Sequence, residues 1–391
     1  MHKPRRFAFA LLGLVALLGG CHSVPHAGPS PCGPPVCGWG GIYPTVLTPW
    51  CDGGGVDESA LAAQIDVQLR SGVHGLLVLG TIGEGEYASM AERAQVIRVA
   101  VQAARGCVPV VVGIHTCNLA AAQAQLLQAR DLGAQAVLVK YAGRPAATGA
   151  EVLGFFHQLA ALQALPIFYY HYPSQTGLQL TPAEVADILR LPGVVGIKES
   201  TLDLDEVSAH VALLQGHPTC FLSGTALNLT QFLDAGGHGA MCPEAVLLPA
   251  LTVYAYHTYH AGRPEEARSA QRELFVVAPL LRDGLATERL TRIIVMATQD
   301  HHIGLPMGVD HPQARLKAAL NALGVPTSPS VKCPLPPLDR HDAHKVTRAT
   351  RKIARLCAGS ACAPAAPAPG PCPAAPSHGL LPPDVSAGQA Q

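Results

Sequence analysis

Val194-Val195-Gly196-Ile197-Lys198-Glu199-Ser200, entered from the turn Pro192-Gly193, is a short apolar run that ends on a lysine. A Val/Ile run bounded by turn residues reads as a strand buried on both faces, as in a parallel sheet. A lysine ending such a strand points its amine into an apolar interior. Desolvation there disfavours the ammonium form, lowers the pKa and makes the amine a nucleophile toward carbonyl carbon. The competing reading is a lysine that snorkels to solvent or pairs with the adjacent Glu199. Its surroundings decide between the two.

Outward from this run the same unit recurs. Apolar strand candidates lie near Ile42–Leu47, Leu76–Leu79, Val108–Gly113, Ala136–Val139, Ile167–Tyr170, Val194–Ile197, Thr219–Leu222 and Gly239–Met241. Amphipathic, Ala-rich helical stretches such as Glu58–Arg70, Met90–Ala104, Leu119–Leu132 and Pro182–Leu191 separate them. Eight strand–helix repeats argue an α/β fold of the (β/α)8 TIM-barrel type, with a doubly wound sheet as the alternative from periodicity alone. Leu247 to about Leu323 reads as further helix after the last strand.

Two upstream strands run straight into turns rich in Gly, Pro and hydroxyl side chains: Leu76-Leu77-Val78-Leu79-Gly80-Thr81-Ile82-Gly83-Glu84-Gly85, and Ile167-Phe168-Tyr169-Tyr170-His171-Tyr172-Pro173-Ser174-Gln175-Thr176-Gly177. Together with Gly-Ile-Lys-Glu-Ser, these segments resemble the dihydrodipicolinate synthase / N-acetylneuraminate lyase superfamily of Schiff-base aldolases, collinearly over residues 40–325. The resemblance implies a barrel with extra C-terminal helices and a site at the C-terminal strand ends, where Thr81, Tyr170 and Lys198 fall. It implies that Lys198 forms an imine with pyruvate or another 2-oxo acid, and that Tyr170 moves a proton at the aldol oxygen. Gly80, Thr81 and the Gly83 turn would hold the substrate carboxylate, with Thr81 also in the proton relay. Ser223, Gly224 and Met241 would line the pyruvate pocket. Glu84 reads as structural, bonding to backbone N–H groups of its turn. No metal or organic cofactor is expected, and a homotetramer or dimer is.

Three positions depart from the synthase pattern. Ile82 stands where a second Thr is usual, removing one hydroxyl contact to the carboxylate. Ala142 stands where a relay tyrosine from the neighbouring subunit is usual, unless the adjacent Tyr141 takes that place. Gln175 replaces the arginine that binds the carboxylate of aspartate semialdehyde, and glutamine cannot supply a bidentate, charged contact. The expected activity is therefore a 2-oxo-acid aldolase or lyase acting with an aldehyde. The alternatives are 4-hydroxy-tetrahydrodipicolinate synthase and a non-catalytic 2-oxo-acid-binding lipoprotein. Thr225 belongs with Gln175 and Ala142 among the barrel-mouth side chains that would set the aldehyde.

Formal net charge is zero, and charged residues are only 14% against 49% hydrophobic, so there is ample core and no basic footprint for nucleic acid. His74, His115 and His171 lack metal-ligand spacing. Residues 1–21, with Lys3, Arg5 and Arg6 before an apolar stretch ending Leu18-Gly19-Gly20-Cys21, read as a signal peptide with a lipobox-like end. Lipidation of Cys21 would anchor an exported protein on the periplasmic side of a membrane; an unused leader would leave it cytoplasmic. Residues 22–39 read as a Pro/Gly-rich linker and 326–391 as a low-complexity Pro/Ala-rich tail, both disordered, around a barrel spanning 40–325. Arg340 to Leu356 is a candidate short helix within that tail. Cys32 and Cys37 at the linker could form disulfides in an oxidising compartment, whereas Cys51, Cys107, Cys117, Cys220 and Cys242 read as ordinary core or loop thiols.

Overall fold

The computed structural model describes residues 37–281, apart from 52, 53 and 202, and residues 311–358. Eight parallel strands follow one another: β1 (Gly41–Pro44), β2 (Leu76–Val78), β3 (Val110–His115), β4 (Ala136–Lys140), β5 (Ile167–His171), β6 (Val194–Glu199), β7 (Cys220–Ser223) and β8 (Gly239–Cys242). Their order in the sheet is β1-β8-β7-β6-β5-β4-β3-β2. A bridge from Thr45 to Leu77 then brings the first and second strands together, so the sheet curls into a barrel. Helices fill each crossover, and the periodic stretches Glu58–Arg70 and Met90–Ala104 are helical over their full expected length. Asp57 caps the first of these, and Ser89 with Glu92 forms a capping box on the second, which satisfies N–H groups the helix start leaves bare.

Alternation along the strands separates two apolar layers. Tyr43, Leu77, Val111, Leu138, Phe168 and Met241 fill the barrel interior. Their neighbours Val78, Val112, Val139, Tyr169 and Ile197 face the helices. Trp39 enters the interior cluster from below and meets Phe168 edge-on, ring centroids 5.5 Å apart.

Both flanks depart from expectation. Cys37 is disulfide-bonded to Cys220 at the start of β7, and Trp39 is only 6% exposed, so residues 37–39 belong to the barrel and not to a linker. Cys220 and Cys107 are both disulfide-bonded, not the ordinary thiols expected. At the other end the folded body continues past residue 325. The helix Arg340–Ala358 buries Val346, Ala349 and Ile353 in the layer between strands and helices. Only the part of the tail beyond 358 lies outside the described residues, as do the leader, Cys21 and Cys32. Among the described residues, no helix is long and apolar enough to cross a membrane.

Candidate active site

The C-terminal ends of β4, β5 and β6 are in register. Val139 pairs with Tyr169, which sets Lys140 level with Tyr170, and Tyr170 pairs with Lys198. Alternation turns all three inward at the barrel mouth. Lys198 is 4% exposed, with its ammonium nitrogen 4.3 Å from the centroid of the Tyr170 ring. Burial pulls its pKa down to about 8, outweighing the opposing pull of Cys242 and Glu244. Glu199 is no partner for it. Glu199 lies on the opposite face of the strand, accepting from the Thr201 N–H at 2.9 Å and lying 3.6 Å from His210.

Tyr170, 4% exposed, has the hydroxyls of Ser200 and Thr81 beside its own, and both favour its ionised form. Burial pushes its pKa up to about 12 despite those two contacts, so the phenol stays protonated and can deliver a proton to an oxyanion formed beside it. Its ring stacks on Tyr172 at 5.7 Å. Ser200 is absent from the expected site residues, although it is the last residue of the quoted Lys198 stretch. Its hydroxyl is close against Gly224: a Cβ there would stand 2.0 Å from the Ser200 Oγ.

The Gly80–Gly85 turn is held on every side. Leu79 (φ 55°) and Glu84 (φ 58°) both adopt the left-handed conformation, a strain of ~1–3 kcal/mol per non-Gly residue that the surroundings must offset. The chain passes so close to itself that a Cβ on Gly85 or Gly113 would overlap the Leu79 carbonyl oxygen, at 1.9 and 2.2 Å. His115 donates from Nε2 to that same carbonyl at 2.9 Å, and burial keeps its imidazole neutral. Arg93 donates to the Gly85 and Gly113 carbonyls at 3.1 and 2.8 Å. Gln313, from the C-terminal helices, donates to the Thr81 carbonyl at 3.1 Å.

Glu84 is structural, but its partners come from elsewhere in the chain and not from its own turn. Its carboxylate, fully buried, accepts from the Trp50 indole and the Lys332 backbone N–H, each at 2.8 Å, and is ion-paired with Lys317. Lys317 and these donors offset the cost of burying the carboxylate in so dry a position.

The remaining expected residues distribute as follows. Met241 sits fully buried in the interior cluster with Tyr170. The Gly224 N–H donates to the Glu199 carbonyl at 2.6 Å, and the Ser223 hydroxyl donates to Asn228 at 3.1 Å. Thr225 donates to buried Glu244 at 2.5 Å. Ile82 packs on the layer between strands and helices. Tyr141 packs edge-on against Phe155 in that same layer, 5.1 Å between centroids. Gln175 does reach the site, where its Oε1 accepts from the Lys140 ammonium at 2.6 Å. His74 and His171 are satisfied by protein groups, His74 by the Ile42 N–H and His171 by Tyr169 and Glu206. One potential metal-ligating group exists among the described residues, Cys37, Cys220 and His238, but the disulfide consumes both of its thiols.

An eight-stranded barrel whose mouth sets a desolvated lysine against a protonated tyrosine is the architecture of a class I aldolase. Residues 39–353 match the model of the dihydrodipicolinate synthetase family, and the chain belongs to that family. It is thus a lyase of the dihydrodipicolinate synthase / N-acetylneuraminate lyase type, a group whose chemistry uses a lysine imine and calls for no metal or organic cofactor. It is 35% identical over 238 residues to a 4-hydroxy-tetrahydrodipicolinate synthase from Hyphomonas neptunium, covering 60% of this chain and 80% of the relative. A second such synthase, from Methanospirillum hungatei, is 28% identical over 291 residues, 72% of this chain and 98% of its own. Among solved structures, a prophage protein of the same family from E. coli, in complex with pyruvate, superposes with TM-score 0.69 at 25% identity, covering 81% of this chain and 99% of its own. Dihydrodipicolinate synthase from Thermotoga maritima matches with the same score, identity and coverage.

Proposed function

We propose that Lys198 forms an imine with pyruvate or a closely related 2-oxo acid, and that the protein catalyses reversible aldol addition through it. The amine attacks the ketone carbon, and water leaves to give the imine. Loss of a proton from the adjacent carbon gives an enamine, which adds to an aldehyde carbon while Tyr170 protonates the aldehyde oxygen. Hydrolysis returns the free lysine, and the reverse sequence cleaves the aldol. Thr81 would relay the proton, and the Gly80–Ile82 turn would receive the substrate carboxylate, with Met241 and the Ser223–Gly224 strand end lining the pocket. The observation that carries this reading is the Lys198 amine, buried at the mouth within 4.3 Å of the Tyr170 ring. Incubation with pyruvate and borohydride followed by peptide mapping tests it: a reduced adduct on Lys198 is expected, and a folded protein with no adduct, or one on another lysine, would overturn it.

The names of the relatives favour a second reading, in which the aldehyde is aspartate semialdehyde and the enzyme is 4-hydroxy-tetrahydrodipicolinate synthase. Release of a cyclised product from pyruvate and that aldehyde would decide for it. Export through the leader is supported by the Cys37–Cys220 disulfide, since such bonds persist in oxidising compartments, and anchoring through Cys21 by the lipobox-like Leu18-Gly19-Gly20-Cys21. Full recovery of Cys21→Ala and wild type alike in the soluble fraction would sink the anchoring. A homotetramer or dimer rests on the family resemblance, and light scattering of the purified protein tests it.

A further inference from the structure

Lys140 is a buried cation that the aldol chemistry above does not use. It is the last residue of β4 and only 1% exposed. Its ammonium nitrogen donates to Gln175 Oε1 at 2.6 Å and to the Thr81 hydroxyl at 3.4 Å. Both of these partners are neutral. Lys140 is also ion-paired with Glu86 at 3.6 Å, a carboxylate whose own side chain is 32% exposed and so shared with solvent. The ammonium also lies 5.9 Å from the centroid of the same Tyr170 ring that Lys198 faces from the neighbouring strand. Two lysines thus flank the tyrosine that would carry the proton, one on each side along the strand row.

A buried ammonium whose closest partners are an amide and a hydroxyl, and whose ion-pair partner is partly in solvent, is incompletely compensated. Lys198 has a task that accounts for its burial; Lys140 has none in the free enzyme. Its position is also informative. It contacts Gln175, on the short helix Pro173–Thr176 above β5, and is two strands away from the imine-forming amine. A group bound there would belong to the aldehyde partner and not to the carbons joined to Lys198.

Resting on the imine reading above, we infer that Lys140 is a specificity-determining residue that binds an anionic group, a carboxylate in the first instance, on the aldehyde substrate. The incoming carboxylate displaces the partly exposed Glu86 from the ammonium, and the Gln175 side chain positions that ammonium. The positive charge offered to the aldehyde partner therefore comes from β4, although the residue at 175 is neutral.

The test compares wild type, Lys140→Met and Lys140→Arg in the full chain. Each is assayed for condensation of pyruvate with succinic semialdehyde and with butanal, an uncharged aldehyde of equal chain length. Lys140→Met should lower kcat/KM for succinic semialdehyde by about 30-fold or more, the loss typical of removing one partner from a buried charge pair. Butanal should change no more than about threefold, and Lys140→Arg should recover most of the loss. Borohydride trapping of pyruvate on Lys198 should be unchanged in all three proteins. Equal losses on both aldehydes, or a loss of pyruvate trapping confined to the Lys140 variants, would overturn the assignment. Failure of trapping in wild type would instead overturn the imine reading. Calorimetric titration with succinate reads the subsite without turnover: Lys140→Met should weaken Kd by the same factor, and an unchanged Kd counts against Lys140.

Discussion

Raising the pH at which the protein meets pyruvate should speed capture of Lys198 in a way that reports its environment. With a pKa of about 8, roughly 1% of this amine is free at pH 6, roughly 10% at pH 7 and about half at pH 8. An ordinary lysine near 10.5 would be only ~0.03% free at pH 7, so burial raises the available nucleophile about 300-fold. The assay is a timed incubation with a fixed pyruvate concentration, quenched with excess borohydride and read by intact mass. The initial rate should climb about tenfold between pH 6 and 7, bend near 8 and level off above ~9. A rate still climbing tenfold per unit at pH 10 would mean that Lys198 is solvated, and the desolvation argument would be wrong.

Four other outcomes follow from the same contacts. Lys198→Met should raise stability at pH 7 by roughly 3 kcal/mol, because two to three units of depressed pKa at ~1.4 kcal/mol each are relieved. The sign is that of a base with a lowered folded pKa: the unfolded chain binds more protons between about 8 and 10.5, so wild-type stability rises over that window and the gap to Lys198→Met closes, which denaturant melts at pH 7 and 10 would check. Tyr170→Phe should keep pyruvate trapping within a few-fold while lowering aldol turnover by ~10²–10⁴; equal loss of both would place Tyr170 in imine formation instead. Gly224→Ala should lower turnover without unfolding the barrel, because its Cβ would stand 2.0 Å from the Ser200 Oγ and displace that hydroxyl from Tyr170; unaltered kinetics would remove Ser200 from the site. Glu84→Ala should destabilise by ~3–5 kcal/mol, leaving Lys317 buried without its counter-ion, and a melt within 1 kcal/mol of wild type would contradict the ion pair.

The repeating pattern exposed the barrel because both sides of a parallel strand are apolar, and Val/Ile runs mark such strands plainly. It marked their C-terminal ends less well. β3, β4, β5 and β6 run on through His115, Lys140, His171 and Glu199, where an apolar pattern stops. Those polar residues are buried at the strand ends, and the inward-facing ones are polar because they serve the site. The same truncation hid Lys140, which falls one residue past the expected strand end and reads as part of a loop. Lys198 escaped this fate through its resemblance to a known motif, and Tyr170 likewise. Ser200 could have been found from that motif, of which it is the last residue. The Cys37–Cys220 bridge spans 183 residues and leaves no local trace. The stretch from Pro326 to Pro337 reads as disordered by its proline content. It is nonetheless ordered, because Glu84 accepts from the Lys332 N–H and the helix Arg340–Ala358 packs an apolar face on the barrel.

The carboxylate of Glu84 sits three residues after Thr81, yet the groups that complete it lie 233 and 248 residues further along the chain. A ribosome that has just extruded the eighth strand has therefore made a barrel whose Gly80–Gly85 turn still encloses an acid lacking its cation. Only when the polypeptide is nearly finished does Lys317 arrive, and Lys332 after it. The last-made part of the protein thus completes the first-made part: a nascent or prematurely terminated chain carries every strand of the barrel but lacks the cation and the backbone N–H that Glu84 meets in the finished fold.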